Sequence, residues 1–187
     1  MRWTLVALLF MGGAGCHNTL TSGTPETEFD TIRRQAEGGD ASAQSRLGLM
    51  YADGIGVPRD AAAAVTWYRK AAQQGDAAAQ MNLGKIYAQG QGVDRDDTEA
   101  LKWFRQAAEQ GDAGAQHHLG LMYANGEGTQ QNDVDAYIWL SIALNSGHPF
   151  AQKSRQPIAA RLSDDQRAAA EQRAAGLTAK IQPGTTP

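Results

Sequence analysis

The sequence predicts an all-α fold, a right-handed α-solenoid of helix-turn-helix units. Three observations predict it. A 36-residue period runs through the middle of the chain. Each period holds two segments with helical apolar spacing. Alanine is abundant, whereas β-branched residues other than Thr are sparse, a mixture that favours helix over sheet. Residues 41–76, 77–112 and 113–148 align without gaps, and Trp67, Trp103 and Trp139 fall one period apart. Tyr51, Tyr87 and Tyr123 do the same, as do Leu47-Gly48, Leu83-Gly84 and Leu119-Gly120. Such self-similarity marks units that cannot bury an apolar face alone and stack to do so.

The chain has 187 residues and a formal charge of −3. It opens with "MRWTLVALLFMGGAGC", in which Arg2 precedes an apolar run and then small residues. The run is shorter than the roughly 20 residues a membrane-spanning helix needs. Residues 1–15 therefore read as a signal peptide. "GAGC" resembles the bacterial lipobox, with Gly13 where an aliphatic residue is usual. The resemblance implies lipidation at Cys16, which would become the first mature residue. Two or more acyl chains hold a protein stably on a membrane. His17 follows, and by the same resemblance a residue other than Asp there implies an outer-membrane lipoprotein facing the periplasm; a soluble periplasmic or secreted protein is the alternative. Residues 16–28, polar with Gly and Pro, read as a flexible tether. Without residues 1–15 the chain keeps 16 basic and 20 acidic residues, no footprint for nucleic acid. A single cysteine excludes an intramolecular disulfide and a cysteine-based zinc site.

Residues 29–40 match only a second helix and read as an N-terminal capping helix. In the first repeat, Ala43, Leu47, Met50 and Tyr51 form one face of a first helix, and Ala64, Trp67, Tyr68 and Ala71 one face of a second. The other repeats reproduce both. Asp40, Asp76 and Asp112 stand where first helices start, and Asp60, Asp96 and Asn132 where second helices start, each an N-cap. Gln44, Gly48 and Ala52 form a second stripe whose glycine lets a neighbour approach, and the Trp of the paired helix is expected against that gap. Gly54 and Gly56 follow a helix rather than a strand and lack G-K-[ST], so they read as a turn, not a phosphate loop. "PFAQ" (149–152) restarts a first helix, but Pro157 stands where a helix interior does not want it. Ser163 and Gln166 form a capping box that opens a last, Ala-rich helix. Residues 149–181 are thus C-terminal capping helices, and 182–187 a disordered tail.

These residues resemble Sel1-like repeats, relatives of the tetratricopeptide repeat. The pattern is A-x-x-x-L-G-x-x-Y, a G-x-G-V loop, then A-x-x-W-(Y/F)-x-x-A-A-x-x-G. The third copy departs from it at Thr129 and at "SIALNSGH". The resemblance implies an adaptor whose first helices line a concave, partner-binding face. It also implies envelope assembly, polysaccharide export, signalling or inhibition of a toxin as settings.

No chemistry competes with that reading. G-x-S-x-G, S-x-x-K and H-E-x-x-H are missing. His117 and His118 are neighbours, about 100° apart on a helix, and do not readily share a metal; they read as polar surface residues. His148 replaces the Asp of the other repeats and reads as a changed cap. Acidic pairs such as Asp96-Asp97, Asp133/Asp135 and Asp164-Asp165 sit at helix starts, where the dipole favours them. No catalytic residue, cofactor or metal is expected. The first-helix positions that vary between repeats remain: Arg46, Leu49, Asp53, Met81, Asn82, Lys85, Gln89, His117, His118, Leu121 and Asn125. Exposed Leu49 and Leu121 beside polar residues suit a peptide or helix partner. The expected function is a non-catalytic scaffold for an envelope or secreted protein. The rivals are an immunity-type inhibitor of a secreted toxic enzyme and, against the missing motifs, a cell-wall or β-lactam hydrolase.

Overall fold

The computed structural model describes residues 26–181. The expected signal peptide, Cys16, the tether up to residue 25 and the tail 182–187 lie outside the described residues. Among the described residues there are nine helices and no strands: α1 (Glu28–Glu37), α2 (Ala41–Asp53), α3 (Ala61–Gln73), α4 (Ala77–Gln89), α5 (Asp97–Glu109), α6 (Ala113–Asn125), α7 (Asp133–Asn145), α8 (Ala151–Ala159) and α9 (Asp164–Ile181). None of them is long and apolar enough to cross a membrane.

Helix starts follow the cap residues. Ala43, Ala79 and Ala115 donate their backbone N–H to Asp40, Asp76 and Asp112 at 2.6, 2.7 and 2.7 Å. Asp60, Asp96 and Asn132 accept in the same way from Ala63, Glu99 and Asp135. Each such bond pairs an otherwise orphaned N–H and is worth about 1 kcal/mol. First helices end at Gly54, Gly90 and Gly126, whose φ of 75°, 67° and 71° only glycine adopts without strain. α1 starts at Glu28, one residue before position 29, because Thr27 and Asp30 cap it reciprocally.

Within each unit α2 packs on α3, α4 on α5 and α6 on α7. Between units α3 meets α4 and α5 meets α6, while α1 covers α2, and α8 and α9 both cover α7. The glycine gap is filled, but not by Trp. A Cβ on Gly48 would lie 2.8 Å from the Tyr68 ring, one on Gly84 2.5 Å from Phe104, and one on Gly120 2.7 Å from Leu140. The residue after each Trp takes the gap because neighbours on a helix diverge by about 100°. Trp67 and Trp103 point back instead, into the clusters built on the preceding unit.

The glutamine of the same stripe ties units together. Gln44, Gln80 and Gln116 donate Nε2–H to the carbonyls of Ala36, Ala72 and Ala108 at 3.1, 3.1 and 3.2 Å. Gln74 and Gln110 then donate to Gln44 and Gln80 Oε1 at 2.7 Å. One period on stands Ser146, and Gln116 Oε1 is buried without a hydrogen-bond partner.

Pro157 lies inside α8, against expectation. Proline removes the bond to residue i−4 and costs roughly 3 kcal/mol in a helix interior. Here Pro157 and Lys153 are exposed, while Ala151 and Ile158 are buried and hold the short helix in place. Ser163 and Gln166 cap α9 reciprocally, each backbone N–H donating to the other's side chain, at 2.9 and 3.2 Å.

Candidate partner-binding groove

The variable first-helix positions divide when placed in space. Leu49 and Asp53 on α2 come together with Asn82, Lys85 and Gln89 on α4 around a groove of about 150 Å³. Ala52, Tyr68, Ile86 and Gln91 complete its lining. A smaller cavity of about 70 Å³ continues it under Arg59, Ala61 and Ala64, sharing Ala52, Asp53, Ile86 and Gln91.

The groove exists because of the glycine gap. Tyr68 packs flat against Gly48 and is buried, so its ring forms floor rather than wall. Burial, with the nearby Asp53 carboxylate adding to it, pushes the Tyr68 hydroxyl up to about 12. Tyr68 thus stays neutral and serves as an apolar surface with a polar tip. Leu49 is 44% exposed on the α2 wall. Asp53 and Lys85 place opposite charges on the two helices lining the groove. Such a site has room for an apolar side chain, with polar groups placed to flank it.

The other named residues are engaged elsewhere. Arg46 is exposed and forms a 3.1 Å salt bridge with Glu28. Met81 is half-buried, and its methyl end sits where a Gly114 Cβ would be. His118 stacks on Phe104, ring centroids 4.8 Å apart, and so occupies at the second junction the place that Asn82 leaves open over Tyr68. Leu121 is half-buried rather than exposed, and Asn125 donates to Glu127 at 3.2 Å. His117 is buried, stacked on His148 and 2.8 Å from Ser154 Oγ. The expectation of a polar surface residue fails there because α8 and the turn before it cover the ring. The His148 side chain is no cap: α8 starts after Phe150, with no side-chain cap, and only the His148 carbonyl accepts from Ala151 N–H, at 3.2 Å.

Burial lowers all three imidazoles, His117 to about 4. Among the described residues no group of three or more His, Cys, Asp and Glu could hold a metal. The acidic pairs are bound up structurally. Asp96 caps α5 and Asp97 accepts from Arg95 at 2.8 and 2.9 Å. Asp133 meets Arg161, Asp135 meets Arg173 and Asp164 meets Arg167.

Sequence reasoning assigned Tyr68 and Ile86 to the core and missed their second role as groove floor. The available signal was the glycine stripe, which brings a ring to the surface edge of the first helix. The His117–His148 contact was also missed, although both positions leave the repeat pattern together.

Residues 41–76, 77–112 and 113–148 each match the Sel1 repeat family. Among solved structures, the chain is similar to a protective antigen of uropathogenic Escherichia coli strains displaying an SLR fold. That match has 36% identity, a TM-score of 0.77, and covers 86% of this chain and 34% of the antigen. It is also similar to a Sel1 repeat protein from Oxalobacter formigenes, at 34% identity and TM-score 0.62, over 68% of this chain and 58% of the other. The chain therefore spans about a third of the first relative and under three fifths of the second. Helicobacter pylori cysteine rich protein B, at 18% identity and TM-score 0.55, shares the fold. No curated protein matches the chain in sequence.

Proposed function

The chain belongs to the Sel1 repeat family, whose members are generally protein–protein interaction scaffolds, and on that premise we propose that it holds a partner protein in the groove between α2 and α4. The observation that supports this reading is the meeting of Leu49, Asp53, Asn82, Lys85 and Gln89 from two successive repeats around one cavity. An apolar side chain of the partner enters above Tyr68, and its polar flanks meet Asp53 and Lys85. The scaffold does no chemistry of its own. It is exported, lipidated at Cys16 and held at the outer membrane facing the periplasm, so that its partner is an envelope or secreted protein.

A photo-crosslinking side chain placed at Leu49, Asn82 or Lys85, or at exposed Thr66 on α3, tests the groove in cells. Adducts of one size from the three groove positions, weakened by Asp53→Lys, are expected. Equal capture from Thr66, or capture unaffected by Asp53→Lys, refutes this placement of the partner.

A further inference from the structure

The junction between the third unit and α8 is built unlike the earlier two. Position 117 corresponds to Ser45 and Met81, and position 148 to Asp40, Asp76 and Asp112. Both are histidine at this junction. The rings of His117, on α6, and His148, in the turn before α8, stack with centroids 4.2 Å apart and planes inclined by 19°. His117 Nε2 lies 2.8 Å from Ser154 Oγ on α8. His148 Nδ1 is buried without a hydrogen-bond partner, and its ring meets exposed Phe150 edge-on at 6.0 Å. α8 lacks the side-chain cap that anchors α2, α4 and α6. The imidazole pair stands in its place.

We propose that His117, His148 and Ser154 form an acid-released latch that fastens α8 to the third unit at neutral pH and lets it open in acid.

Neutral imidazoles stack favourably, whereas two imidazolium rings at this separation repel in a partly buried site. Neighbouring imidazoles favour the neutral form of His117, whereas His148 is kept neutral by burial against the opposing pull of Asp112. Lys85 on α4 lowers His118 on α6 rather than the stacked pair itself, and Asp112, before α6, acts on His148 and His118 in the other direction. α7 brings Ser141, which accepts from Arg155 of α8 at 3.1 Å, and α8 carries Lys153 besides. Burial, reinforced by His148 and His118, holds His117 at about 4, below the ordinary 6.5. A base with a depressed native value binds protons more readily once α8 opens. The latch is therefore intact above about pH 6.5 and lost progressively toward pH 4. For His117 alone, opening becomes about twentyfold more favourable at pH 5 than at neutrality.

Hydrogen exchange of the full chain at about pH 7.5 and about pH 5, corrected for intrinsic rates, tests this. Opening of α8 is expected to rise by at least about tenfold, and that of α2–α5 by less than about twofold. The double variant His117→Gln/His148→Gln should lose the α8 response. Uniform acceleration along the chain, or a response retained in the folded double variant, overturns the proposal. If that variant does not fold, the wild-type His117 ring decides by NMR titration. A midpoint below about 5.5 supports the latch and any higher one overturns it.

Discussion

A methyl group at Gly84 would lie 2.5–2.8 Å from three atoms of the Phe104 ring, which is itself fully enclosed. Two effects compete. Alanine gains about 1 kcal/mol of helix propensity over glycine, but overpacking a rigid ring costs about 1–3 kcal/mol. The ring wins, because Phe104 has no free space to retreat into. Gly176, on α9, has nothing within 4 Å of a would-be Cβ and keeps the propensity gain alone. Calorimetry should therefore find Gly84→Ala lowering the melting temperature by about 2–6 °C and Gly176→Ala raising it by about 2–4 °C. The period and the helical spacing made the gap legible in the sequence. The ring that fills it was not legible, because Trp and the residue after it both lie near the edge of the buried stripe. Only the crossing of paired helices chooses between them.

At the scale of elements, α7 is apolar around most of its circumference. Tyr137, Ile138, Trp139, Leu140, Ile142 and Ala143 are all buried. α6, α8 and α9 divide that surface between them. α9 contributes Ala170 and Ala174 to the shared core, and Glu171 accepts a 2.8 Å hydrogen bond from the Tyr137 hydroxyl. α9 itself is polar and Ala-rich, so its helicity depends on this docking. Truncation before Asp164 should expose the Tyr137 face, lower the melting temperature and produce dye-binding apolar surface. A truncated chain that melts like the full one would show that α9 does not close the core. Position and capping of α9 could be read from Ser163 and Gln166. Its partner could not, because nothing in a polar, Ala-rich segment encodes which face it lies on.

For the whole molecule, the proposed function turns on where the solenoid is held as much as on what it grips. The proposed lipid anchor at Cys16 predicts a clean outcome on fractionation of cells: the wild-type chain sediments with membranes, and Cys16→Ala moves to the soluble periplasmic fraction. Equal partition of the two would remove the anchor from the proposal while leaving the groove intact. The charge balance, −3 with both signs interspersed, leaves local chemistry rather than a long-range field to select the proposed partner.

Repeat period, fold class and the caps of α2 to α7 were determined by the sequence itself, since each depends on neighbours along the chain or on a periodic apolar stripe. Asp40 caps α2 and Gly54 ends it whatever lies beyond. Which variable residues meet was decided only by the tertiary structure. Leu49 and Lys85 share a groove, whereas Leu121, in the same column, is half-buried, and His117, in another variable column, packs into the last junction. The physical reason is that helices from different repeats meet through side-chain volume. A tyrosine roofed by asparagine leaves a cavity, a phenylalanine roofed by histidine fills it, and no local pattern records which side chain lies opposite.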